Sequence, residues 1–377
     1  MKKIGMLMAM LLAFSLLLTA CESNIAKGKD GSEASVPAVA MVKTGLATVN
    51  TMAVSDDALT AKTVAAAVAV GKDGRITACK LDEIETDAKL KTGKITREKD
   101  MRSKYAQGDD YGLATSAPLS KEWYKQVDAL CDYVVGKTAA EVADISLENG
   151  VAVDETLRSR CELTITPFIE VIGKACDMAT QRGAQAGDAL SLSMTATDAT
   201  GGSDKAVQTD VHVAAVALNS RGVVTDCLVD VASCKVDVTD GAFSGITGPY
   251  RSKKDQKTGM DDTSDTEKDA EWAACANAFE EYVIGKTARQ VKATPLTDGE
   301  PASDTELSKK CTIRVTEMMD NVLKAIDTAS AEGTAAKHET ETAADGFLED
   351  VVSVADDVVS QVEDAVSRVG EELTESR

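Results

Sequence analysis

The stretch "WYKQVDALCDYVVGKTA" (residues 123–139) aligns without a gap with "WAACANAFEEYVIGKTA" (272–288), 149 positions later. A self-match at that distance marks an internal repeat, and it extends in both directions. Upstream, "VAVGKDGRITACKLD" (68–82) matches "VALNSRGVVTDCLVD" (216–230), pairing Gly74 with Gly222 and Cys79 with Cys227. Downstream, "LRSRCELTITPFIEVIGKA" (157–175) matches "LSKKCTIRVTEMMDNVLKA" (307–325), pairing Cys161 with Cys311. The chain reads as a tandem duplication, with repeat domains over 42–180 and 187–330.

Within one repeat, Val64, Ala66, Val68 and Val70 alternate with small residues, Lys72-Asp73-Gly74 turns the chain, and Cys79 and Leu81 alternate again. That pattern predicts a β-hairpin. Residues 85–118 are polar and poorly periodic. Ser120 is placed to cap a helix carrying Trp123, Val127, Leu130 and Val134 at helical spacing. Cys161, Leu163 and Ile165 predict a further strand, and Thr166 a cap for the last helix, with Pro167 at its first position. Strands, helix, strand and helix define an α+β fold. Each of the two homologous repeats is expected to be a small antiparallel sheet with two or three packed helices. With a full set of elements, 42–180 is expected to fold alone.

Twice the repeat writes Gly-Lys-Thr, the end of a phosphate-binding loop. Such a loop needs a glycine five residues before its Gly-Lys, so that backbone N–H groups converge on the anion. That position holds Cys131 and Glu280, and the residues before it have helical rather than strand spacing. Gly136 and Gly285 fit left-handed helix terminators, and Thr138 and Thr287 fit caps of the next short helix. Nucleotide binding is therefore rejected.

Near the start, Lys2 and Lys3 are followed by seventeen uncharged residues, 4–20, which end in Leu18-Thr19-Ala20 just before Cys21. This reads as a lipoprotein signal peptide over 1–20, with Cys21 as the lipidation site and 21–41 as a flexible tether. The expected location is the extracytoplasmic face of the cell membrane. The formal charge is −21, and removal of Lys2 and Lys3 takes it to −23. So acidic a chain repels nucleic acid and anionic headgroups. Aromatic content is 3%, so the cores must be built from Ala, Val, Leu and Ile.

Chemistry-bearing clusters are sparse. His212 and His338 lie in different segments, and His212 is expected on an edge strand. No cysteine–histidine spacing predicts a metal site, and no constellation predicts catalytic residues. Asp109-Asp110 and Asp261-Asp262 do not match a calcium loop. Cys79, Cys161, Cys227 and Cys311 recur between repeats and are either disulfide partners, as Cys79–Cys161 and Cys227–Cys311, or buried thiols, with buried thiols preferred. Arg102-Ser103-Lys104 recurs as Arg251-Ser252-Lys253, and Tyr111-Gly112-Leu113 is echoed by Thr258-Gly259-Met260. Recurrence in polar loops makes Lys104, Gly112, Lys253 and Gly259 candidates for a ligand or partner surface.

After a linker over 331–344, Leu348, Val352, Ala355, Val359, Val362, Val366, Val369 and Leu373 form a heptad seam, which predicts an amphipathic helix over 345–377. Ten acidic and two basic residues give that helix a charge of −8. The acidic faces disfavour self-pairing, so docking in cis or on a less acidic partner is expected.

The segments "GKDGRITACKLD", "GDDYGL", "EWYKQ" and "YVVGKT" resemble an uncharacterised family of tandem-repeat surface lipoproteins of anaerobic Gram-positive bacteria, over nearly all of 42–330. More distantly, the layout is similar to the FMN-binding domain family, where flavin phosphate is attached to the Thr of a Ser-Gly-Ala-Thr motif before the last helix. The matching stretches are Ser159-Arg160-Cys161-Glu162 and Lys309-Lys310-Cys311-Thr312, without the Gly-Ala pair, so only Thr312 offers a hydroxyl to that reading. The expectation is a non-catalytic binding or interaction module at the cell envelope, held to the membrane by lipid. Its partner is an envelope protein or small ligand, and no cofactor is predicted. The alternative is an extracytoplasmic FMN-binding electron-transfer protein.

Overall fold

The computed structural model describes residues 40–97, 100–116, 118–245, 247–256 and 266–331. Cys21 with its leader and nearly all of its tether, Gly259, and the heptad tail lie outside the described residues. In chain order the first half gives β1 (Lys43–Val54), β2 (Ala58–Val70), β3 (Ile76–Lys91), β4 (Lys94–Arg97), α1 (Lys104–Gln107), α2 (Trp123–Val134), α3 (Ala139–Ala143), β5 (Leu147–Glu148), β6 (Val151–Ala152), α4 (Glu155–Arg158) and α5 (Thr166–Met178). The second gives β7 (Ala189–Asp198), β8 (Ala206–Leu218), β9 (Val224–Thr239), β10 (Ala242–Ser244), β11 (Gly248–Tyr250), α6 (Lys253–Gln256), α7 (Thr266–Val283), α8 (Ala288–Lys292), β12 (Leu296–Thr297), β13 (Glu300–Pro301) and a last helix α9 over 316–331. The fold is α+β with antiparallel sheets.

Strand β2 shows how the layers arise. Its two faces differ in side-chain size rather than polarity. Val64, Ala66, Val68 and Val70 pack outward against Trp123, Leu130, Phe168 and Ile172 of the first-half helices. Ala65, Ala67 and Ala69 face the other way, into a core built with Leu190, Met194, Val211, Val213 and Ala215 of the second half. In β8 the pattern repeats, with Val216 and Leu218 outward against Trp272, Phe279 and Met318, and Ala215 and Ala217 inward. The result is four layers: helices, a sheet ordered β11-β1-β2-β3-β4, a sheet ordered β10-β9-β8-β7, and helices. Alanines on the facing surfaces let the two sheets approach closely. Both central hairpins bulge at matching places, Ala69/Val70 and Ala217/Leu218.

This layering changes the expectation that 42–180 stands alone. From Met41 onward the described residues belong to one compact unit. Leu46, Ile84, Leu190, Met194, Val211 and Val213 are buried between the sheets. At about 1.5–3 kcal/mol for each such side chain, this shared core contributes on the order of 10 kcal/mol, as much as a typical domain's whole net stability.

Backbone pairing also crosses between halves, and reciprocally. Strand β11 of the second half pairs with β1, placing Asn50 opposite Tyr250. The residues before α1 pair with β7, where Arg102 bridges Thr195 and Ala196 N–H donates to Met101 O.

The Gly-Lys-Thr phrase is structural in both copies. Gly136 (φ +83°) and Gly285 (φ +84°) turn the chain in the left-handed region, and their N–H groups donate to Ile76 O and Val224 O at the starts of β3 and β9. Thr138 and Thr287 form capping boxes with Glu141 and Gln290. The lysines lie over the preceding tyrosines, Lys137 at 4.3 Å from the Tyr133 ring centre and Lys286 at 3.7 Å from that of Tyr282.

Four local expectations change. Residues 161–165 are not a strand: Cys161 N–H and Ile165 N–H donate to Leu157 O and Gly150 O, so their alternation marks buried anchors of an irregular segment. Ser120 does not cap α2; Glu122 holds that position, without a side-chain cap. Thr166 is the first helical residue of α5, with Ile165 as its cap. His212 lies on β8, the strand between β7 and β9, rather than at an edge.

Candidate functional site

The recurring Arg-Ser-Lys tripeptide sits where the chain crosses between sheets, and its three side chains have separate tasks. Ser103 and Ser252 are buried and donate their hydroxyls to Asp82 and Asp230 on the central parts of β3 and β9. Each serine oxygen in turn accepts the N–H three residues on, from Ala106 at 3.2 Å and Asp255 at 3.3 Å, which starts α1 and α6. The same aspartates accept Tyr105 N–H at 3.0 Å and Lys254 N–H at 3.1 Å. Burial pushes the Asp82 carboxyl up to about 7 and that of Asp230 up to about 6, although the serine hydrogen bonds pull the other way.

Lys104 turns into its own half. Its Nζ is 2.6 Å from Glu83 Oε1 and 5.2 Å from the Tyr111 ring centre. Burial opposes its charge, but Glu83 outweighs burial and holds its pKa above the ordinary value. Lys253 lies 5.3 Å from the ring centre of Trp272. Gly112, at φ +71°, links two short 3₁₀ turns. These recurrences therefore have structural explanations.

The arginines of the tripeptides do reach clefts, and each belongs to the other half's sheet. The first cleft, about 350 Å³, has Thr48, Val49 and Asn50 of β1 as its floor, Glu170 and Lys174 of α5 as its wall, and Pro249–Arg251 with Asp255 as its roof. The second, about 630 Å³, has Thr195–Thr197 of β7 below, Asp320, Asn321 and Lys324 of α9 beside, and Asp100–Arg102 above. In the repeat alignment Glu170 matches Asp320, Lys174 matches Lys324 and Arg251 matches Arg102. Each cleft thus carries an acid, a lysine and an arginine from equivalent places, beside Asp255 in the first and Asp100 and Glu317 in the second.

The two clefts differ in detail. In the first, Lys174 Nζ donates to Thr48 O at 2.8 Å and to Asp255. Asn50 is buried and gives its amide N–H to Thr48 Oγ1 and Tyr250 O, while its Oδ1 has no partner among the described residues. In the second, Asn321 joins Thr195 at 2.7 Å, and Arg102 is paired with Asp100 and Asp110. The acid–lysine spacing of four was visible in the aligned helices, but solvated helix faces carry such pairs commonly. Nothing in the local sequence singles out Asn50.

A second polar centre, in the interior, joins the halves. Glu280 of α7 is 1% exposed and accepts from Arg182 Nη1 at 2.7 Å, from Val229 N–H at 2.7 Å and from Lys254 Nζ. Arg182 also reaches Asp226, which accepts the Thr44 hydroxyl of β1.

The sulfurs depart from the strand-to-strand pairing considered above. Cys311 is bonded to Cys275 of α7, whereas Cys79, Cys161 and Cys227 are buried thiols. Cys227 lies in the second-half core, near enough to Glu280 to feel its charge, and Cys275 joins α7 to the irregular segment holding Cys311. In the first half Gln126 takes the place of Cys275, and its side-chain oxygen accepts Glu162 N–H at 2.9 Å. Thr312, the one flavin-attachment candidate, is exposed with its hydroxyl 3.4 Å from Glu271. No group of three or more metal-ligating side chains is gathered among the described residues. No protein-family model, curated protein or solved structure matches this chain.

Proposed function

We propose that the protein is a lipid-anchored, extracytoplasmic, non-catalytic binding module whose ligand or envelope partner occupies the twin clefts. The observation that carries this reading is the recurrence of acid, lysine and arginine around both clefts, each arginine supplied by the opposite half. The serines and lysines of the tripeptides serve internal packing, and Lys174 and Arg102 are also paired internally, yet the same three charge types recur at equivalent places around both clefts. Mixed charge suits a polar partner bearing both signs, and two equivalent clefts suit a repetitive or two-fold ligand. The Cys275–Cys311 disulfide favours an oxidising, exported location. The lipobox ending at Cys21 supports the anchor, and the acidic chain argues against nucleic acid.

The test uses mature protein and a Lys174→Ala/Lys324→Ala variant, immobilised and exposed to soluble envelope fragments and secreted proteins of the host. Retention of a species by the wild type and its loss in the folded variant is the expected result. Equal retention by both, or none by either, removes the clefts as the site. Separately, Cys21→Ser should move the protein from the detergent phase to the aqueous phase; a lipidated variant would refute the anchor.

A further inference from the structure

We propose that Cys79 and Cys131 close a second disulfide, joining β3 to α2 in the first half. The two thiols lie in one core cluster, both buried, and Cys79 acts directly on Cys131. The second half supports this placement independently. Glu280 stands on α7 where Cys131 stands on α2, and its carboxylate reaches β9 at Val229, two residues past Cys227. That helix position therefore faces that strand position in both halves. The Cys275–Cys311 bond staples a helix to the irregular segment of the second half. Gln126 excludes the equivalent bond in the first half, so a staple there would use another pair.

The chemistry is thiol–disulfide exchange with an external small-molecule disulfide. The Cys79 thiolate attacks the external disulfide, forming a mixed disulfide and releasing one thiol. The Cys131 thiolate then attacks the Cys79 sulfur, forming the protein disulfide and releasing the second thiol. Two protein thiols are oxidised and one disulfide is reduced to two thiols. Contact with Cys79 and burial raise the Cys131 thiol well above its ordinary pKa, so the exchange belongs to folding, before the core closes. Cys176, half-exposed on α5 and close enough to Cys79 to feel its charge, is the competing partner.

Reduced, unfolded mature protein is refolded with reduced and oxidised glutathione, trapped with an alkylating reagent, and mapped by mass spectrometry without reduction. Two links per chain are expected, Cys79–Cys131 and Cys275–Cys311. In Cys131→Ala the first should vanish and the second persist. Wild-type protein that carries alkyl groups on both Cys79 and Cys131 beside an intact Cys275–Cys311 link overturns the proposal, and so does a Cys79–Cys176 link.

Discussion

Replacing Glu280 by alanine should unfasten the second half from inside. The wild-type carboxylate is buried and shared by Arg182, which follows the first half, by Lys254 on α6, and by the N–H of Val229 on β9. Removing it leaves two partly buried cations and one buried N–H without their acceptor. Breaking a buried ion pair by deleting one partner costs about 3–5 kcal/mol, and an unsatisfied buried N–H about 1–3. These losses overlap, so we expect about 4 kcal/mol in all. A domain of this size loses about 2–4 °C of melting temperature per kcal/mol, giving a drop of about 8–16 °C. Glu280→Gln keeps an oxygen for Val229 and should lose about half as much. Calorimetry of wild type, Glu280→Ala, Arg182→Met and the double variant closes a cycle with a coupling of about 1–3 kcal/mol. A drop under about 3 °C, or strictly additive single effects, would refute the reasoning.

Three further outcomes follow from the same geometry. Asp82 titrates near 7 and Asp230 near 6 because burial disfavours their charge, so the folded state holds these protons more tightly than the unfolded chain; their contribution to stability grows as pH falls from about 7 to 4 and is lost as it rises. For Asp82 the full change is about 4 kcal/mol, of which about 2.5 falls between pH 5 and 7.5, and urea unfolding of Asp82→Asn at those two pH values should be flatter by about that amount; an unchanged profile contradicts the assignment. Gln126→Cys places a thiol against Cys161 as Cys275 is placed against Cys311, and the resulting disulfide should add up to about 3–4 kcal/mol; alkylation at both positions 126 and 161 of the denatured, unreduced variant would count against the equivalence. Thr138→Ala removes a capping box and should cost about 1 kcal/mol by denaturant midpoint, with no change in any nucleotide's affinity; a loss of nucleotide binding would revive the phosphate-loop reading.

The hairpins, the helices at Trp123 and Trp272, and the structural role of Gly-Lys-Thr were legible because turn and cap chemistry is local. The sheet of the first half was under-read. Ile84, Thr86, Ala88 and Leu90 are buried in alternation with exposed Glu85, Asp87 and Lys89, a good strand pattern masked by its charges. Conversely, Cys161 and Ile165 are buried without any strand, because two anchors in an irregular segment imitate alternation. The shared core was hidden by the alanines of β2 and β8. They read as weak apolar positions, yet small residues are what lets two sheets pack face to face. The crossovers of β11 and Arg102 pair residues about 200 and 93 positions apart, a separation that no local pattern encodes. The clefts depend on those crossovers, so they could not be seen before the fold. In the recurring Arg-Ser-Lys, the arginines border the two clefts, whereas Lys104 lies against Glu83 and Lys253 over Trp272.

The two halves build one unit around a shared inter-sheet core. Expressing 42–180 and 187–331 as separate chains, alone and mixed, tests this most directly by hydrogen exchange and sedimentation. Each half alone should be poorly protected or self-associated, because its alanine-rich face is uncovered, and mixing should restore slow exchange in β2 and β8 within a one-to-one complex. A monomeric 42–180 with native-like protection in β2 on its own would contradict it.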